Sequence, residues 1–102
     1  MPDSESRFGL KPDTLERLKA IFQQHPKVQR VLIYGSRAKG NYRDGSDIDL
    51  TMQGEELDWR ELQMIEREID DLLLPYKVDL SIYSQIENKA LQEHIKRWGT
   101  LL

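Results

Sequence analysis

Two short stretches of this chain alternate with a period of two, and both carry aspartate on their polar side. In the first, Ile48, Leu50 and Met52 interleave with Asp47, Asp49 and Thr51. In the second, Val78, Leu80 and Ile82 interleave with Asp79, Ser81 and Tyr83. Side chains two apart on a strand share a face, so each stretch reads as a half-buried strand with Asp47 and Asp49 side by side. If the two strands are neighbours with their apolar faces on helices, all three aspartates share the open face. A one-residue slip would turn the apolar set outward, which fixes that assignment. Aspartate is disfavoured within strands, and folding has no need of three on one exposed face.

The remaining pattern supplies the helices. Pro12-Asp13 opens a helix to about Gln24, striped by Leu15, Leu18, Ile21 and Phe22, and His25-Pro26 ends it. A strand from about Arg30 to Tyr34 leads to a short helix from Ser36 to near Gly40, and residues 41–45 form a turn-rich loop. Gly54 breaks the second strand, which begins about Asp47. Asp58 and Glu61 resemble a capping box for a helix with Trp59, Leu62, Ile65, Ile69 and Leu72 on one face, ended by Pro75. A last helix spans about Gln85 to Trp98. Strands separated by helices on one side predict an α/β fold of two layers, a small sheet with helices on one face. The 102 residues suit one domain, 1–102, with residues 1–10 a flexible tail.

Adjacent carboxylates with no cation between them repel, so a divalent metal is their natural third party. Gly35-Ser36 ends the apolar strand Val31-Leu32-Ile33-Tyr34 in a turn that frees backbone N–H groups, a place to hold phosphates. Three carboxylates on one face suit two Mg²⁺ ions about 3.5–4 Å apart, an arrangement for in-line displacement at phosphorus. The chain carries a net charge of −3, and a triphosphate site within it needs concentrated cations; Arg37, Lys39 and Arg43 all fall between Gly-Ser and Asp-x-Asp. Tyr34 and Tyr42 are placed to border a nucleotide. His25 and His94 have no partners at metal-ligand spacing and read as surface residues, while Trp59 and Trp98 read as core or interface anchors.

Several chemistries are excluded. Residues 35–40 imitate the start of a P-loop, but Asn41-Tyr42 stands where Lys-Ser/Thr belongs. A kinase would need that loop or a glycine-rich cover. An EF-hand would need glycine where Met52 stands. The absence of cysteine removes disulfides and thiolate metal sites. The opening Met-Pro-Asp-Ser-Glu is not a signal sequence and the apolar runs are short, so the expectation is a cytoplasmic protein with no membrane contact. The acidic balance argues against stable nucleic-acid binding.

Gly35-Ser36, ten residues, Asp47-x-Asp49 and the later Asp79 together resemble the DNA polymerase β-type nucleotidyltransferase superfamily. Arg37-Ala38-Lys39-Gly40 and Ser46-Asp47-Ile48-Asp49-Leu50 are similar to its minimal nucleotidyltransferases (MNT) from bacteria and archaea, and the likeness runs roughly from Thr14 to Trp98. The resemblance implies the polymerase β-like fold with a mixed sheet. It implies Asp47, Asp49 and Asp79 as catalytic residues and ligands of two Mg²⁺ ions, with ATP as substrate at Gly35, Ser36, Arg37, Lys39 and Arg43. It also implies a small helical partner, either a substrate-binding protein or a HEPN-type toxin. With the toxin, the nucleotidyltransferase acts as antitoxin by adding AMP to a tyrosine. Two alternatives come from other classes. One is a small-molecule nucleotidyltransferase of the aminoglycoside type, which needs a homodimer to build its acceptor pocket. The other is a non-catalytic binding module that neutralises its partner by occlusion, against which the complete acid set argues.

Overall fold

The computed structural model describes residues 7–102. Four strands, β1 (Arg30–Tyr34), β2 (Ile48–Gln53), β3 (Val78–Ile82) and β4 (Thr100–Leu101), form one sheet in the order β3-β2-β1-β4. Four α-helices accompany them: α1 (Pro12–Gln23), α2 (Ser36–Lys39), α3 (Trp59–Asp70) and α4 (Lys89–Trp98). β1 runs antiparallel to β2 and β4, and β2 runs parallel to β3. The sheet is mixed because α3 carries the chain back between β2 and β3, as a parallel pair requires.

The period-two reading sets the layers. Val31, Ile33, Ile48, Leu50, Met52, Leu80 and Ile82 join Leu15, Leu18, Ile21 and Phe22 of α1 and Ile65 and Ile69 of α3 in one buried cluster. The starts of α1, α3 and α4 are set by local residues. Pro12 occupies the first turn of α1, and the Asp58 carboxylate caps α3 by accepting from the Glu61 N–H at 2.9 Å. Asn88 caps α4 by accepting from the Leu91 N–H at 3.0 Å. Gly54 ends β2 where an added Cβ would collide with the Lys27 carbonyl.

Three sequence expectations need correction, and one strand was not foreseen. Residues 7–10 are packed, with Leu10 fully buried, Phe8 against the core and Arg7 bridged to Leu10; residues 1–6 of the expected tail lie outside the described residues. Trp59, at the first position of α3, is 64% exposed and leaves the helix's apolar face. The last helix starts at Lys89, after a single 3-10 turn over Tyr83–Gln85. The fourth strand, two residues long, pairs with Leu32 and Ile33 and has too few positions to show a period. Among the described residues no helix is long and apolar enough to cross a membrane.

Candidate active site

The strand register brings the acids together. Asp49 of β2 is paired with Asp79 of β3 and, on its other side, with Tyr34 of β1. Neighbouring strands lie about 4.8 Å apart, so the two carboxylates project from adjacent points on one face. Asp47 immediately precedes β2 and is exposed, as is Asp79, while Asp49 is half-buried. The next rung on that face is Thr51 opposite Ser81, where the Ser81 hydroxyl donates to Thr51 Oγ1 at 2.9 Å. Thr51 is completely buried, so the acid pair sits at the accessible end of a polar ladder whose next rung is closed.

The electrostatics of the cluster are unbalanced. Burial pushes the Asp49 carboxyl above its ordinary range, and the charges of Asp79 and Asp47 push it further, against a smaller opposing effect from Lys77. Burial likewise raises the Tyr34 phenol, with Asp49 and Asp79 adding to it and Ser81 opposing. Among the described residues, none of the three aspartates takes part in an ion pair. A bound cation is the chemistry that relieves such crowding. Among the described residues, no three acid or imidazole side chains converge as a ready-made cage. Mg²⁺ fits that donor set, because it is usually held by one or two carboxylates plus waters and substrate phosphates rather than by an all-protein shell.

The Gly35-Ser36 turn adjoins the acids. Gly35 has φ of +76°, and an added Cβ would collide with Oδ2 of Asp49. Only glycine suits both the backbone angle and the close approach. The Gly35 N–H donates to Nε2 of His94, from α4, at 3.0 Å, and the His94 ring stands edge-on to Tyr34.

The basic residues are not all where the sequence expectation put them. Arg37 is 3% exposed and turned away from solvent. Its guanidinium donates to the Ser46 carbonyl through Nε and Nη2 at 3.1 and 2.9 Å, and to the Phe8 carbonyl through Nη1 at 2.8 Å. It is also stacked by Tyr42 and Tyr76. Its expected contact with phosphate is therefore corrected. Arg37 clamps the loop that delivers Asp47, since Ser46 is the residue before it. Tyr42 belongs to that clamp. Lys39 lies over the Trp98 ring at 5.5 Å, and Arg43 is exposed in the loop, where its N–H is taken by the Ser46 hydroxyl.

Both histidines depart from the surface reading. His94 reaches the turn from 59 residues away, which no spacing rule reveals. His25 is 8% exposed and bonds Glu61 through Nδ1 at 2.8 Å and Glu68 through Nε2 at 3.0 Å. A signal for His25 did exist: Glu61 and Glu68 are seven apart on α3, hence on one helix face beside the buried Ile65.

A mixed sheet with an acid pair across its parallel strands, beside a glycine-serine turn, defines a nucleotidyl-transfer scaffold. The profile of the polymerase beta nucleotidyltransferase family matches residues 16–102, and the chain belongs to that family. A Methanocaldococcus jannaschii protein, provisionally named a protein adenylyltransferase, is 33% identical over 85 residues, which is 82% of this chain and 86% of that one. In fold, the chain is similar to one in a toxin–antitoxin crystal structure with AMP-PNP, at TM-score 0.67 and 22% identity over 90% of this chain and 72% of that one. It is also similar to a chain in the complex of a tri-AMPylated Shewanella oneidensis HEPN toxin with its MNT antitoxin. There the TM-score is 0.59 with 18% identity, over 86% of this chain and 70% of that one.

Proposed function

We propose that this nucleotidyltransferase moves AMP from ATP to a hydroxyl group of a partner protein, a tyrosine of a small helical HEPN-type toxin, and so acts as its antitoxin in the cytoplasm. The observation that carries the transfer chemistry is the Asp49–Asp79 register pair, crowded with Asp47 beside the Gly35-Ser36 turn. The provisional name of the M. jannaschii relative and the AMPylated toxin beside the S. oneidensis antitoxin support the acceptor class.

In this reading the Gly35-Ser36 turn holds the triphosphate, and Asp47 and Asp49 hold Mg²⁺ against it. When bound, the two ions neutralise the triphosphate and ease ionisation of the acceptor hydroxyl. Asp79 orients that hydroxyl and takes its proton. The acceptor oxygen forms a bond to the α-phosphorus as the bond to the β-phosphate bridge breaks, and pyrophosphate leaves. Arg37 holds Asp47 in place through Ser46, and Lys39 and Arg43 remain available to meet phosphate charge from the loop side.

The test incubates purified protein with Mg²⁺, host lysate and ATP labelled on the α-phosphate, beside an Asp47→Ala/Asp49→Ala control. The expected result is a labelled protein band, absent from the control, with the label on tyrosine. Label on a small molecule instead of a protein would overturn the acceptor assignment and leave nucleotidyl transfer standing. No labelled product of any kind, without nucleotide binding, would overturn the catalytic reading.

A further inference from the structure

α2 has four residues, too few to hold its own direction. The Gly35-Ser36 turn in front of it is therefore set by whatever grips it from outside. Arg37 is one grip, tied to the carbonyls of Ser46 and Phe8. Asp49 is a wall on a second side, close enough to Gly35 to exclude any side chain there. The remaining grip comes from α4, where His94 Nε2 accepts the Gly35 N–H at 3.0 Å. Because Nε2 accepts, the ring's proton is on Nδ1. The ring's angle is fixed by its edge-on contact with Tyr34, at a centroid separation of 6.1 Å and 74° between planes.

Packing alone does not call for this contact. Ile95, next in the chain, is 2% exposed and anchors α4, and β4 ties the segment after it to β1. A helix held in that way has no need to set an imidazole nitrogen on the amide of another element.

We propose that His94 is a positioning residue of the nucleotide site. By accepting the Gly35 amide it holds the phosphate turn in place against Asp49, and it makes α4 and β4 part of the site rather than an appendage to the sheet. This rests on the assignment of Gly35-Ser36 as the triphosphate turn. The turn binds nucleotide in proportion to how well it is held, so His94 governs ground-state affinity more than the chemical step. It needs no contact with substrate to do so.

The experiment measures AMP-PNP affinity with Mg²⁺ by calorimetry for the wild type, His94→Ala and His94→Gln, with a thermal melt of each. The glutamine side chain places an amide oxygen near the lost Nε2 and restores the acceptor. The expected result is about fivefold weaker binding for His94→Ala, the loss of one hydrogen bond, and near wild-type binding for His94→Gln. In transfer assays the alanine variant raises KM for ATP and leaves kcat within about twofold. Wild-type affinity in His94→Ala, or equal weakness in both variants, would overturn the positioning role while nucleotide binding stands. Absence of AMP-PNP binding in all three proteins would instead overturn the turn assignment itself. Should the alanine variant fail to melt cooperatively, wild-type resonances decide. The Gly35 amide and the His94 ring signals move together on AMP-PNP addition, and a Gly35 shift with an unmoved His94 ring would overturn the coupling.

Discussion

Two groups of carboxylates sit on opposite sides of the sheet, and among the described residues only one has a countercharge against it. On the side covered by α1 and α3, Glu61 and Glu68 of α3 close on the two ring nitrogens of His25 at 2.8 and 3.0 Å. Carboxylates only accept, so both nitrogens donate and the ring is an imidazolium. Burial alone would lower its pKa, but the bonds and charges of Glu68 and Glu61 outweigh that and raise it. On the opposite face Asp47, Asp49 and Asp79 have no such partner among the described residues, and Asp49 is pushed up by burial and by its neighbours. The first group is complete within the chain and serves the fold as a strut. The second has no countercharge against it among the described residues, and under the proposed function a bound cation supplies one.

That contrast breaks first at Asp49. Asn is nearly isosteric and removes the charge without removing the side chain. Asp49→Asn is expected to lower transfer activity by about 10³-fold or more, since metal-borne charge stabilisation is worth several kcal/mol. The same variant is expected to melt a few degrees higher than wild type in metal-free buffer, because it relieves the crowding. Mg²⁺ with AMP-PNP then raises the melting temperature of the wild type and not of Asp49→Asn. A variant that is both less stable and still active would erase the distinction between the two groups.

His25→Ala tests the other side. It leaves Glu61, whose side chain is only 14% exposed, without its partner. The expected cost is about 2 kcal/mol by urea unfolding, the range for hydrogen bonds to charged groups. AMP-PNP affinity is expected to stay unchanged, since the strut lies on the far face of the sheet. A matching loss of affinity would show that the two groups are coupled through β2.

What the sequence discloses about this molecule follows from the range of the interactions involved. The alternation of Ile48, Leu50 and Met52 with Asp47, Asp49 and Thr51 is local, and it was enough to place Asp49 beside Asp79 once the strands were paired. The Asp58–Glu61 cap and the break at Gly54 are local too. An arginine after Gly-Ser has the pattern of a phosphate ligand, and what claims Arg37 instead is the Ser46 carbonyl together with that of Phe8, 29 residues earlier. Leu10 lies in a polar stretch whose composition resembles a tail, yet one buried side chain and one carbonyl hold it to the domain. His94 left no trace at all, because its partner is a backbone amide and amides have no sequence signature. Long-range contacts to backbone groups are the part of a site that pattern reading misses.

The smallest effect sharpens the comparison by pH. For His25 the folded pKa lies above its unfolded value of about 6.5. The stability it contributes is therefore fully present below about pH 6.5 and is lost as pH rises through the folded value. Asp49 also has a raised folded pKa, so its protonated form favours folding in the same sense. Its window, however, opens near the ordinary carboxylate range, far to the acid side. The two groups are thus separable by titration. Urea midpoints taken from pH 6 to pH 9 are expected to decline in the wild type and to run flat over the same window in His25→Gln, whose amide has no proton to lose. Asp49→Asn is expected to keep the wild-type decline in that range, offset upward, and to converge with the wild type only in acid, where Asp49 takes up its proton. A decline that persists in His25→Gln would place the titrating charge elsewhere and remove the imidazolium from the strut.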